Sequence, residues 1–457
     1  MNLALFTRRE TFRGGIHPPE EKDWAGDVPI EVLPVPSEVR IALLQHLGAP
    51  CQATVSPRAA VQWGDVVGRS ESFVAAPVHA SVTGVVSRVE VATLPNGRHV
   101  SVVPIRSSAS QPLADRQLYD AIYGGSWPWD EIGRHVPGDI VDASRAAGLV
   151  GLGGAAFPMH VKLTRNDRKP IDTLLVNGCE CEPFLTADYR LMVEAPAAIV
   201  AGGLLAMRAC GAARAVMCIE NNKPRAVEVL REACAGTPIS LRVLKTKYPQ
   251  GGERQLLKAA TGRIVPGGGL PLDVGVVVVN VASAAALAGA VLRGRPLTHR
   301  VVTVAGAGIR HPKNLLVPIG TRYGELIRYC GGVTGDALRV VAGGPMMGFA
   351  LPAADDASEL IPTPVTKGTS GITVLAERDV RHDAETACLR CGRCVRVCPM
   401  LLVPAKLALA ARHGNHELLA RYHATSCVEC GCCAYVCPAR IPLVQLIRVG
   451  KVTLQKK

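Results

Sequence analysis

The stretch Cys388-Leu389-Arg390-Cys391-Gly392-Arg393-Cys394-Val395-Arg396-Val397-Cys398 is followed at once by Pro399. Its pattern, C-x-x-C-x-x-C-x-x-x-C-P, returns in Cys427-Val428-Glu429-Cys430-Gly431-Cys432-Cys433-Ala434-Tyr435-Val436-Cys437 before Pro438. Three thiolates from a tight loop and a fourth from further along the chain can hold a cubic iron–sulfur cluster, and in two-cluster ferredoxins the fourth cysteine serves the partner cluster. The doubled pattern therefore assigns Cys388, Cys391, Cys394 and Cys437 to one [4Fe–4S] centre and Cys427, Cys430, Cys433 and Cys398 to the other, leaving Cys432 unligated. A zinc ribbon separates two C-x-x-C pairs by a longer loop, and a disulfide framework belongs to small secreted chains; neither has this run of gaps. The C-terminal segment reads as an electron relay, and what feeds it must lie upstream.

A chain of 457 residues is too long for one core and implies about three or four domains. Met1 to Pro19 carries charges and prolines where a secretory signal would have an apolar core, and eight of the 16 cysteines are claimed by clusters, so the expected compartment is a reducing cytoplasm. Val274 to Leu292 is long enough to span a bilayer by hydropathy, but its interior reads as a β-branched strand (Val276 to Val279), an N-cap (Asn280) and a small-residue helix (Ala284 to Leu292). The formal net charge is +13, and Arg381 to Lys457 holds 12 Lys and Arg against 4 Asp and Glu, an excess of 8. Anionic clusters need such compensation; an acidic protein partner or a negative membrane surface would use it too. Nucleic acid is not an expected partner, because only 4% of residues are aromatic and there is no basic helix or stacking platform.

Upstream, residues 1 to about 110 alternate apolar residues with glycine and proline turns, as in Trp63-Gly64-Asp65-Val66-Val67-Gly68 and Ser81-Val82-Thr83-Gly84-Val85-Val86, which predicts a barrel-sandwich fold. A lipoyl or biotinyl carrier of that shape needs a lysine at its hairpin tip, and none occurs between Lys22 and Lys162, which excludes that role. Next comes Gly148-Leu149-Val150-Gly151-Leu152-Gly153-Gly154-Ala155-Ala156-Phe157-Pro158, whose glycines free backbone N–H groups to face a phosphate-bearing cofactor. Gly151-x-Gly153-x-x-Ala156 formally fits the Rossmann fingerprint, but a helix-like segment precedes it where a strand is required. A strand from Ile171 to Val176 then ends in Asn177-Gly178-Cys179-Glu180-Cys181-Glu182-Pro183, polar groups where an open α/β sheet binds ligands; a capped turn is the bland alternative, and Cys179 and Cys181 read as packed thiols. Residues 184 to 245 read as βαβ scaffolding, and Tyr248-Pro249-Gln250-Gly251-Gly252-Glu253-Arg254 as a second glycine turn before a helix. Arg300 to about Gly348, around a helix from Tyr323 to Tyr329, reads as a β-grasp module, followed by the Pro-rich linker Ile361-Pro362-Thr363-Pro364 and, after the first cysteine run, a helix from Pro404 to Tyr422 interrupted near Gly414.

Together with Gly14-Gly15-Ile16-His17-Pro18-Pro19-Glu20 near the start, whose plain reading is a chain pinned by two prolines, these motifs resemble the C-subunit family of Rnf electron transport complexes, membrane-bound ion-pumping oxidoreductases. The middle region is similar to the flavin subunit of respiratory complex I, and residues 300–348 to its soluble-ligand-binding β-grasp module. The resemblance implies an α/β multidomain chain: an N-terminal barrel-sandwich-like domain over 1–112, an FMN- and NADH-binding α/β domain over 113–295, a β-grasp (SLBB-like) module over 296–350, a linker over 351–375 and a helical, ferredoxin-like two-[4Fe–4S] domain over 376–457. It further implies that Gly151, Gly153, Gly154 and Lys162 contact FMN, that Asn177, Glu180, Gly251, Glu253 and Asn280 complete the pocket, and that Phe157 and Glu182 lie on the NADH side. Cys179 and Gly252 stand where the flavin subunit of complex I has an acidic residue and a glutamate.

The implied activity is exchange of a hydride between NADH and FMN and passage of single electrons through the clusters to integral and peripheral membrane partners, with ferredoxin reached indirectly. The expected seat is peripheral, on the cytoplasmic face of the bacterial inner membrane. A soluble cobalamin reductase of flavin and iron–sulfur type, or a relay protein without enzymatic activity, are the alternatives; corrinoid reduction without membranes would mark the first, and clusters without FMN the second.

Overall fold

The computed structural model describes residues 11–351 and 361–455. The first ten residues of the stretch read as lacking a signal, and residues 352–360 of the expected linker, lie outside the described residues.

Four parallel strands build the sheet that positions the glycine motifs, in the order Ile239–Leu244, Arg214–Glu220, Thr173–Gly178, Val276–Asn280. Parallel strands are covered on both faces and so are written as unbroken apolar runs; Leu174, Leu175, Val176 and Val276 to Val279 are all buried here. Helices Pro196–Cys210 and Val281–Arg293 cover one face and Glu253–Thr261 the other. The first two touch so closely that a Cβ on Gly202 would fall 1.7 Å from the Ala284 carbonyl oxygen, which only glycine permits. The run Val274 to Leu292 is thus resolved into strand, N-cap and helix, with the Asn280 side chain accepting from the N–H groups of Ala282 and Ser283. Among the described residues no single helix is long and apolar enough to cross a membrane. Register sets Asn177 beside Asn280 at the C-terminal edge of the sheet, where α/β proteins place ligands.

In the N-terminal domain, the strands Glu38–Ala42, His99–Ser107, Gly84–Val86 and Ala60–Val61, with Glu90–Thr93 alongside, face a small sheet of Gln52–Ala53, Val66–Arg69 and Val78–His79. Val39, Ile41, Val67, Val78, Val103 and Ile105 fill the space between them.

The β-grasp sheet has six strands and departs from the expected boundaries at both ends. Its order is Ile30–Val32, Lys313–Pro318, His299–Ala305, Gly371–Ala376, Ala337–Ala342, Phe349–Ala350, under the helix Tyr323–Tyr329. Residues 371–375, expected in a linker, form a strand between two others, because Ile372 and Val374 bury against Leu326 and Ile327 of that helix. The Pro-rich stretch before it is also inside this body, where the Val365 N–H donates to the Thr321 carbonyl. Ile30–Val32, expected in the N-terminal domain, pairs in parallel with residues 314–316.

The C-terminal domain packs Pro404–Arg412, His416–Arg421 and Leu443–Gln455 around two short helices, Arg393–Val397 and Cys432–Tyr435, with the expected break at Gly414.

Candidate functional site

The glycine-rich loop closes on itself, the Gly151 N–H donating to the Phe157 carbonyl at 2.9 Å and the Ala156 N–H to the Gly151 carbonyl at 3.1 Å, while the Ser283 hydroxyl accepts from the Leu152 N–H at 2.8 Å. Among the described residues, a Cβ on Gly151 or Gly153 would meet its neighbours only at ordinary contact distance, 3.8 and 3.5 Å, and one on Gly154 would meet nothing within 4 Å. Gly154 has a positive φ of 105°, which favours glycine anyway; Gly151 and Gly153 do not. Their missing side chains leave room for a ligand, which fits FMN.

Facing this cradle, Lys162 Nζ donates to Glu253 at 2.7 Å and to the Val278 carbonyl at 3.3 Å. Asn177 Nδ2 donates to the Gly251 carbonyl at 2.9 Å, and Asn280 Nδ2 to Asp188 at 2.6 Å. Gly153, Lys162, Asn177, Gly251, Glu253 and Asn280 are thereby brought to one edge of the sheet, with half-buried Phe157 at the end of the loop. Two expected members are engaged elsewhere. The Glu180 carboxylate accepts from the N–H groups of Asp188 and Tyr189, capping a helix. Glu182 accepts from Met346 N–H at 3.2 Å and Tyr248 O–H at 3.4 Å, and burial pushes its carboxyl up to about 7.

The cysteines form two sets. Burial, with Cys437 and Cys388 close by, pushes the Cys394 thiol up; burial, then Cys430, Cys427 and Cys398, does the same at Cys433. Cys398, Cys427, Cys430 and Cys433 line one apolar cavity together with Met400, Leu407 and Ile447. Cys398 of the first repeat thus lies with the cysteines of the second, and Cys432 lines the same cavity. The two backbones also repeat each other. Gly392 and Gly431, Arg390 and Glu429, and Leu401 and Arg440 occupy equivalent positions, and all six have positive φ. Four of them are not glycine, a strain of about 1–2 kcal/mol each that persists only where the surroundings fix it. Grouped thiols on a strained, duplicated loop fit cluster ligation.

Family descriptions match the chain in the order of these domains: RnfC barrel sandwich hybrid over residues 10–110, Nuo51 FMN-binding over 144–289, SLBB over 301–350 and 4Fe-4S dicluster over 378–441. The C-subunit of the proton-translocating ferredoxin:NAD(+) oxidoreductase complex of Clostridium ljungdahlii is 41% identical, over 97% of this chain and 93% of its own length. The chain belongs to the C-subunit family of ion-translocating oxidoreductase complexes. The corresponding C-subunit of the Na(+)-translocating complex of Acetobacterium woodii is 40% identical over 96% of both chains, and that of the ion-translocating oxidoreductase complex of Rhodobacter capsulatus is 38% identical over 99% of this chain and 85% of its own.

This member of the Rnf family also holds positioning contacts around the site that spacing alone does not reveal. Residues 12–22 form a strap between the domains: Gly15 N–H donates to the Val397 carbonyl at 2.8 Å, Ile16 and Tyr248 exchange backbone hydrogen bonds at 2.9 Å, and Lys247 Nζ donates to the Phe12 carbonyl at 3.0 Å. Lys22, half-buried, donates to the carbonyls of Glu180, Glu182 and Leu185, fixing the loop that carries both glutamates. Behind the glycine loop, Lys367 Nζ donates to the carbonyls of Pro77 at 2.6 Å and Gly148 at 2.7 Å, and Arg300 bonds to the carbonyls of Lys367 and Leu152. The lone Lys22 and the run Thr366-Lys367-Gly368-Thr369 carry no motif; the backbone carbonyls that Lys22 reaches and the burial of Lys367 are what mark them.

Proposed function

We propose that this chain is the NADH-linked subunit of a membrane-bound, ion-translocating ferredoxin:NAD(+) oxidoreductase. When bound, FMN supplies the exchange of a hydride for single electrons, and two [4Fe–4S] clusters carry those electrons one at a time. The protein binds, spaces and orients. Gly151, Gly153 and Gly154 admit the flavin nucleotide, Lys162 and Glu253 hold a charged pair at its edge, Asn177 and Asn280 fix the strand ends, and Phe157 borders the NADH side. Cys388, Cys391, Cys394 and Cys437 hold one cluster and Cys398, Cys427, Cys430 and Cys433 the other. Its partners are integral and peripheral subunits of the same complex, with ferredoxin reached through them, and its seat is peripheral on the cytoplasmic face of the inner membrane.

One observation carries this reading. The segment from Tyr248 to Glu253 touches both places at once: Tyr248 O–H donates to the Cys430 carbonyl at 2.7 Å, while Gly251 accepts from Asn177 and Glu253 from Lys162. Six residues reach at most about 20 Å, so the flavin edge and one cysteine set are held at close quarters. The test is reconstitution of the purified chain with iron, sulfide and FMN under anaerobic conditions. NADH should bleach the bound flavin's absorbance; a loaded chain that retains no FMN overturns the reading.

A further inference from the structure

The two cysteine sets differ in exposure. The set containing Cys430 is sealed against the rest of the chain: Tyr248 bonds to the Cys430 carbonyl, Gln255 Nε2 donates to the Met400 sulfur at 3.2 Å, and a Cβ on Gly431 would fall 2.6 Å from the Met346 carbonyl oxygen. The other set opens outward. Cys388 and Cys391 are exposed, within an unbroken run of exposed residues from 381 to 391. Leu389 is 67% exposed and Val395 38%, an apolar pair that solvent does not favour.

Charge on this face is of one sign. Its two acidic residues are already neutralised, Asp383 by Arg440 at 3.1 Å and Glu385 by Arg412 at 2.6 Å. Arg390, Arg393 and Arg396 are exposed and form no ion pair among the described residues. All three are arginine, whose planar fork suits bidentate bonds to carboxylates and which is enriched in protein interfaces where lysine is depleted.

Resting on the function proposed above, we propose that the surface of Leu389, Arg390, Arg393, Val395 and Arg396 around the outward cysteine set is the docking face for a carboxylate-rich surface of a protein partner bearing a one-electron centre. A lipid surface fits less well. A redox set turned outward needs a facing acceptor, which a headgroup layer does not provide.

The test uses the chain loaded with FMN and both clusters, and its variant R390E/R393E/R396E. Glutamate at position 390 is tolerable in the backbone, since Glu429 occupies the equivalent left-handed position in the other repeat. Association with the remaining purified subunits of the complex is measured at low and high ionic strength, beside binding to vesicles containing phosphatidylglycerol. The expected result is association slowed at least ~tenfold at low salt with its salt dependence flattened, while cluster EPR signals and flavin bleaching by NADH stay at wild-type level. The charge-retaining R390K/R393K/R396K chain should keep most of the association rate, which separates charge from misfolding. Unchanged association, or loss of vesicle binding alone, overturns the proposal. Failure of the wild-type chain to bleach with NADH would instead strike the proposed function and leave the docking measurement readable.

Discussion

The phenolic hydroxyl of Tyr248 donates to the backbone carbonyl of Cys430 at 2.7 Å, joining the turn that borders the flavin site to the loop that ligates a cluster. Tyr248 is 2% exposed, and its backbone also pairs with Ile16. Replacing it with phenylalanine leaves a buried carbonyl short of a partner, which costs about 1–2 kcal/mol. Tyr248→Phe should therefore lower the melting temperature of the loaded chain and speed amide exchange in residues 428–434. Unaltered exchange there would mean that the junction is held by other contacts.

The glycine loop allows stability to be separated from binding. A Cβ at Gly153 would sit 3.5 Å from Asn280, an ordinary contact, and the backbone φ is not in the left-handed region. Gly153→Ala should leave the melting temperature of the flavin-free chain unchanged or slightly raised, by up to about 1 kcal/mol in stability. FMN affinity, read by fluorescence quenching, should fall by at least ~tenfold, corresponding to about 1.4 kcal/mol. Equal FMN affinity in the two chains would show that the space at this loop serves no ligand.

Gly14 and Gly15 behave oppositely. Both have positive φ, 78° and 79°, and a Cβ would meet the Cys398 carbonyl oxygen or the Tyr248 carbonyl oxygen at 2.7 Å. Alanine at Gly14 forces the strap off the cluster loop, and alanine at Gly15 forces it off the turn at Lys247 and Tyr248, each at a cost of about 1–3 kcal/mol. Limited proteolysis should release the C-terminal domain faster from both variants, with the Cys430 cluster lost more readily than its neighbour.

Lys367 sets a pH dependence. Burial pulls its ammonium down from 10.5 to about 7. Between those values the unfolded chain binds more protons than the folded one, so stability rises with pH across the window, and the penalty for burying the charge is fully present below about 7. Wild-type melting temperature should climb relative to Lys367→Met as pH is raised from about 7 towards 10.5. A difference that does not vary with pH would place the charge elsewhere.

The cysteine spacing and the two glycine turns were sufficient to mark the dicluster and FMN-binding domains, because each motif is a local solution to a local problem. What stayed hidden depends on contacts distant in sequence. Glu182 reads as a cofactor residue by position, yet the fold brings Met346 to it from 164 residues away. Gly371–Ala376 lies in a stretch punctuated by prolines and glycines and reads as a linker, although partners far upstream, Thr303 for Gly371 and Ala342 for Ile372, make it part of a sheet. Gly14 and Gly15 are explained only by Cys398 and Tyr248, neither of which the local sequence predicts as a neighbour.

The most direct measurement is an anaerobic titration with NADH of the chain carrying FMN and about eight iron atoms, followed by optical absorbance and EPR together. Flavin bleaching accompanied by reduced-cluster signals is the expected result, with Cys437→Ser losing one signal and keeping the other. A cysteine-rich domain that holds zinc, or clusters that stay oxidised while the flavin bleaches, would contradict a single path from nicotinamide to iron.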